Sequence, residues 1–166
     1  MDQAKTNLCD LNVRILEAKC HGRTSKVYAF LITHFTKESN TNLEVLRRVL
    51  ESEMASRGSL PPKLILQLDN TSQENKNSRM FAFLAMLVER GIFKEIEVNF
   101  LPVGHTHEDI DAVFSLISQA LKKCAARTMP ELIASIQRAV KGAHVEHLTS
   151  VVGFWASVKH LWLGLV

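Results

Sequence analysis

The feature that most limits the possible folds is a short apolar run that ends abruptly in an acid. The run covers residues 64–68, is interrupted only by Gln67, and is followed directly by Asp69. A continuous apolar run of this length is typical of a strand buried on both faces of a parallel sheet. One helix pattern later, residues 95–101 alternate between polar and apolar, as an edge strand does. Parallel strands end at the same sheet edge, so we expect a site there.

The rest of the chain carries strand and helix patterns that fit around this pair. Apolar residues alternate from Leu11 to Ile15, and residues 27–32 form a second apolar run after a turn, which predicts an antiparallel hairpin. Capping-box spacing at Thr41 and Glu44 predicts a helix that ends at Gly58. Three further helices are predicted. The first covers residues 77–90, and its apolar side carries Met80, Phe83, Leu84, Leu87 and Val88. The second follows Thr106, and its apolar side carries Ile110, Val113, Phe114, Ile117 and Leu121. The third opens with a second capping box, at Thr128 and Glu131, and runs through about Lys141. The predicted order is β-β-α-β-α-β-α-α.

Composition excludes few classes of function. The 166 residues are enough for one domain with a core, and a net charge of +3 permits contact with nucleic acid without requiring it. The three cysteines lack metal-ligand spacing, the residues from Met1 onward show no signal-peptide pattern, and no apolar run is long enough to span a bilayer. We therefore expect an intracellular protein that contacts no membrane and binds no small-molecule cofactor.

Asp69 has two interpretations that the sequence leaves open. An acid directly after a strand can cap the following turn. It can also be an oxygen ligand for Mg²⁺ or Mn²⁺ at the carboxyl end of the strand.

A second acidic cluster follows residues 95–101. Glu108 and Asp109 suit the first turn of the helix that Thr106 begins. Asp111 lies deeper in that helix, where aspartate has poor propensity, so it is the acid of this group most in need of a functional reason. His105 and His107 are zinc candidates without a third ligand at suitable spacing, and histidines of a polar turn are the commoner case.

Lys76 and Arg79 follow Asp69 closely enough to contact a nucleic-acid phosphate backbone near it. It is equally consistent with the sequence that Lys76 and Arg79 are solvent-exposed charges at the start of the following helix.

Two motifs give a specific resemblance: QLDN followed by ENKN, spanning residues 67–77, and LPVGHTHEDID at 101–111. They resemble an uncharacterised eukaryotic domain, found in transposon-derived genes, that is similar to DDE transposases and integrases. Residues 1–7 also resemble a segment that lies just after the first strand of that domain. The resemblance covers roughly residues 1–152 and leaves residues 153–166 as a divergent apolar tail.

The resemblance implies an α/β, ribonuclease H-like mixed sheet with flanking helices. By this resemblance the first, central strand would lie upstream of Met1, and without it either another segment fills the central position or the sheet is compromised. Asp69 and Asp111 match the second and third acids of the DDE triad, and Asp2 is the nearest candidate for the first.

These matches lead to an expected function. We expect a truncated, nuclease-like domain with an incomplete site for Mg²⁺ or Mn²⁺ and no cleavage activity. DNA is a possible partner, and the nucleus is a possible location inside the cell. The alternative is a non-catalytic module that binds nucleic acid or protein, and a fragment without independent function is a third hypothesis.

Overall fold

The computed structural model describes residues 12–21, 25–35, 39–72, 74–101, 108–123 and 126–153. These residues form a mixed α/β structure, as predicted. The elements in chain order are β1 (Arg14–Cys20), β2 (Lys26–Ile32), α1 (Ser39–Arg57), β3 (Lys63–Leu68), α2 (Ser78–Glu89), β4 (Glu95–Phe100), α3 (Glu108–Lys123), α4 (Met129–Ala139) and β5 (His144–His147). No helix within the described ranges is long and apolar enough to cross a membrane.

The first sheet contains three strands in the order β1-β2-β5. β1 and β2 pair antiparallel, with Arg14 opposite Ile32, so the predicted hairpin is confirmed. β5 adds to the other side of β2 in parallel. The sequence did not predict β5, because its four residues contain a single apolar side chain, Val145.

In the second sheet β3 pairs with β4, and the two strands run parallel as predicted. Leu68 lies opposite Phe100, so both strands end at the same edge. The described strands therefore form two sheets instead of one. No described strand pairs with the second edge of β1 or of β3.

The three-stranded sheet is covered on both faces. Tyr28, Phe30 and Ile32 of β2 pack against Val45 and Val49 of α1. The alternate residues of β2 face helices α3 and α4, in a cluster formed by Ala29, Leu31, Val113, Ile117, Ile136 and Val140. β2 is thus the most buried strand among those described.

The two-stranded sheet is covered on one face. Leu64 and Leu66 pack in the cluster that contains Phe83 and Leu87 of α2, whereas Ile65 is 61% exposed. The prediction that residues 64–68 are buried on both faces was therefore wrong. The prediction failed because Ile65 is apolar although its side chain points outward. The strand alternates between exposed and partly buried residues, but the residue types at 64–66 do not show this.

Helix α1 connects the two sheets, because Leu43 and Leu50 pack with α2 while Val45 and Val49 pack with β2. It begins at Ser39, so Thr41 is not its cap. Glu44 is not a capping partner either: it is buried and accepts hydrogen bonds from Arg47 and Arg48. Thr41 lies within the helix and Glu44 binds two arginines, so the capping-box interpretation was wrong.

The other helices follow the prediction closely. Asn77 caps α2 and Gly91, with φ of +72°, follows its end. Thr128 caps α4 by accepting from Glu131 N. Two predicted core positions are wrong, since Val88 is 38% and Phe114 is 37% exposed.

Candidate acidic site at the end of strand β3

Asp69 is the first residue after β3, and a tight turn forms around its carboxylate. Its Oδ1 accepts hydrogen bonds from Thr71 N at 3.0 Å, Thr71 Oγ1 at 2.5 Å and Asn75 Nδ2 at 2.8 Å. All three bonds end on one oxygen. The turn-capping interpretation of Asp69 is thus confirmed, and Oδ2 accepts no hydrogen bond from the described residues.

Asn75 connects this turn to helix α1. Its side chain is buried, with 7% of the residue exposed, and its Oδ1 accepts from Asn42 Nδ2 at 2.8 Å. The loop backbone closes on itself, because the N–H groups of Asn75 and Lys76 both donate to Thr71 O. Asp69 is therefore held by a buried amide as well as by its own turn.

Asn77 fixes the other end of the loop. Its Oδ1 accepts from Arg79 N and Met80 N at 3.1 Å, which satisfies two free donors of the first turn of α2. Its Nδ2 donates to Ser72 O at 3.3 Å. The motif at residues 67–77 thus encodes one ordered loop between β3 and α2.

The hydrogen bonds stabilise the ionised form of Asp69. Partial burial alone raises the pKa of this carboxyl, but the donors of Thr71 and Asn75 outweigh it and lower the pKa below its ordinary value. Asp69 is therefore ionised at neutral pH, as a ligand for a hard cation must be.

The two predicted phosphate-binding residues lie beside this loop. Lys76 Nζ donates to Asn70 Oδ1 at 3.4 Å and stands 5.5 Å from the centroid of the Phe100 ring. Arg79 is exposed at the start of α2. Within the described ranges neither side chain forms an ion pair.

Asp111 lies near the start of α3 and is exposed. Its helix packs on the three-stranded sheet through Val113 and Ile117, whereas Asp69 follows a strand of the other sheet. Asp2, His105 and His107 lie outside the described residues, as do the side chains of Glu108 and Asp109. The pairing of Asp69 with Asp111 therefore stays a prediction.

The described donors suit one hard cation better than two. Asp69 offers an ionised carboxylate at the end of a strand, which is the kind of ligand that Mg²⁺ and Mn²⁺ prefer. No three histidine, cysteine, aspartate or glutamate side chains cluster as a metal site within the described ranges. Catalysis by two metal ions needs carboxylates that hold both ions about 4 Å apart, and the described residues around Asp69 show no such group of acids.

Sequence reasoning missed Asn42 and Asn75, which position the acid. Asn75 was visible within the ENKN motif, but no sequence pattern separates a buried amide from a solvated one in such a loop. Asn42 lies in a helix more than 30 positions away from Asn75, so only the fold relates it to Asp69.

Comparison with known proteins places the chain in a family without adding an activity. No curated protein and no solved structure matches it. Residues 3–162 match the family model described as "Domain of unknown function (DUF7869)". That match spans nearly the whole chain, and the chain belongs to this family.

Proposed function

We propose that this chain is a ribonuclease H-like domain related to DDE transposases, in which Asp69 and Asp111 bind one divalent cation weakly and DNA is not cleaved. The observation that supports it best is the preorganised carboxylate of Asp69, ionised and held at the carboxyl end of a strand parallel to its neighbour. Strand ends of this kind are where open α/β sheets place ligands.

The lack of cleavage follows from the number of acids. Two-metal phosphodiester chemistry requires carboxylates that hold both ions before the substrate arrives. The described residues supply Asp69 and Asp111 as carboxylates for such a site. Two monodentate carboxylates hold one ion, with water completing its coordination shell.

Calorimetric titration of the 166-residue chain with Mn²⁺ tests this proposal. We expect one weak site whose affinity falls at least roughly tenfold in Asp69→Asn and in Asp111→Asn, since each change removes one charged ligand. Asn at position 69 keeps an oxygen that can accept from Thr71 and Asn75, so the loop is preserved while the charge is lost.

The matched control is Glu89→Gln, which removes an exposed carboxylate at the end of α2. Its Mn²⁺ affinity should equal that of the unchanged chain. Loss of binding in only one of the two aspartate variants would show that Asp69 and Asp111 do not share an ion.

A second candidate function is nucleic-acid binding without metal. Lys76 and Arg79 favour it, because neither cation is neutralised by an acid within the described ranges. The double variant Lys76→Gln/Arg79→Gln should weaken binding of a DNA duplex. The slope of log affinity against log salt concentration should fall by about two, because about two phosphate contacts are lost. An unchanged slope of affinity against salt would reject this interface.

A further inference from the structure

Helix α2 carries an apolar stripe on its outer side. Phe81, Ala85 and Val88 recur at the spacing of one helix face, and all three are exposed, Phe81 to 44%. With Leu84, Ile96 and Val98 they line one open groove of about 360 Å³. Clefts of that volume are large enough to receive several side chains of a ligand.

Strand β4 borders this groove and has an unpaired edge. β3 occupies one side of β4, and no described strand pairs with the other side. The free edge presents backbone N–H and C=O groups that can accept another strand. A strand added there would place every second side chain against the stripe of α2.

The opposite face of β4 is acidic. Glu95 and Glu97 alternate with Ile96 and Val98, and their side chains are 61% and 45% exposed. Lys63 Nζ lies 2.7 Å from Glu95 and 3.0 Å from Glu97. One ammonium against two carboxylates leaves this row with a net negative charge.

We propose that β4 accepts an added β-strand from a partner polypeptide whose apolar and basic residues alternate. Its apolar side chains enter the groove beside Phe81 and Val88, and its basic side chains face Glu95 and Glu97. A second copy of β4 fits this edge less well, because it would bring a second row of glutamates beside the first.

The first test uses a labelled synthetic peptide of alternating valine and lysine and measures its fluorescence anisotropy with the full chain. The control peptides are alternating valine and glutamate, and a peptide of the same valine and lysine content in two blocks. We expect binding of the alternating basic peptide that is at least roughly tenfold tighter than that of either control. Equal binding of the block peptide would show simple charge attraction and overturn the proposal.

A second test distinguishes backbone pairing from side-chain contact. In a strand, the N–H groups of alternate residues point to opposite edges. One peptide is N-methylated at all valines and another at all lysines, so each loses the donors of one edge. Strand addition predicts that one of the two loses binding and the other retains it. Equal affinities of the two methylated peptides would overturn the proposal.

The groove itself is tested by Ala85→Gln, with Ala55→Gln as the matched control on an exposed position of α1. Equal melting temperatures establish that both variants fold. We expect roughly tenfold weaker peptide binding in Ala85→Gln only. Equal affinity in both variants would exclude the groove as the binding site. If the chain instead dimerises and Ala85→Gln weakens that dimer, the occupant of the groove is a second copy of the chain and the proposal of a basic partner is overturned.

Discussion

Asn75 is the residue on which the geometry of Asp69 depends. Its buried amide donates to the carboxylate and accepts from Asn42, so one side chain joins the loop to α1. A buried polar group that loses its partner costs about 1–3 kcal/mol. Asn75→Ala should therefore lower the unfolding free energy by about that amount.

The same substitution should change the charge behaviour of Asp69. Removal of a donor to the ionised form raises the pKa of the Asp69 carboxyl toward its ordinary value, which an NMR titration of that carboxyl measures. Asn99→Ala is the control, since Asn99 is exposed in β4 and donates to Glu97. If the pKa of Asp69 does not change, the two hydrogen bonds from Thr71 are sufficient to lower it and Asn75 has no part in it.

Glu17 of β1 carries a different prediction. Its two carboxylate oxygens are buried without a hydrogen-bond partner in the described structure, and burial raises the pKa of this group from 4.5 to about 7. Between these values the folded chain binds a proton that the unfolded chain has released. Stability therefore falls as pH rises from about 4.5 to about 7.

Glu17→Gln tests this effect because it removes the charge and keeps the shape. Denaturant melts should show an unfolding free energy about 1–3 kcal/mol higher at pH 8 than in the unchanged chain, with little difference near pH 4. A variant that is less stable at pH 8 would show that Glu17 has a charged partner.

At the level of single residues, the sequence identified the acid but not what holds it. Asp69 stood out because an apolar run ended in it. The bonds from Thr71 and Asn75 depend on how the loop closes, and Asn42 belongs to a distant helix. The alternation of β3 was missed for a similar reason: Ile65 is apolar, so nothing in the sequence signals that its side chain is exposed in the described structure.

At the level of elements, α2 offers the sharpest test of packing. Phe83 is 3% exposed and packs in the cluster beneath β3 and β4, whereas Phe81 of the same helix is 44% exposed. Phe83→Ala should lower the unfolding free energy by about 3–5 kcal/mol, because it leaves a cavity. Phe81→Ala should cost less than about 1 kcal/mol. Similar costs at the two positions would mean that the wrong face of α2 has been placed inside.

The elements were predictable where one local rule acts alone. The 3.6-residue period located α2 and the capping box located α4. Prediction failed where tertiary contacts override the local rule, as at Glu44, whose carboxylate binds two arginines inside α1. β5 was missed because four residues with one apolar side chain form a strand only through pairing with β2.

For the whole molecule, the division into two sheets should be visible in amide exchange. β2 is paired on both sides and covered on both faces, while β1 and β3 each have an edge that no described strand pairs with. Amides of β2 should therefore exchange most slowly and those of β3 and β4 faster. Hydrogen-exchange mass spectrometry measures this order. Protection of β3 equal to that of β2 would show that its free edge is covered in solution.

The central claim concerns what the acidic site does, and a plasmid-nicking assay tests it most directly. Supercoiled plasmid is incubated with the 166-residue chain and Mg²⁺ or Mn²⁺, with Asp69→Ala as the control. Because the proposed site holds one ion, whereas two-metal cleavage of DNA needs two, we predict that no nicked product forms above the level of the control. Nicking by the unchanged chain that disappears in Asp69→Ala would contradict the account and show a complete catalytic site.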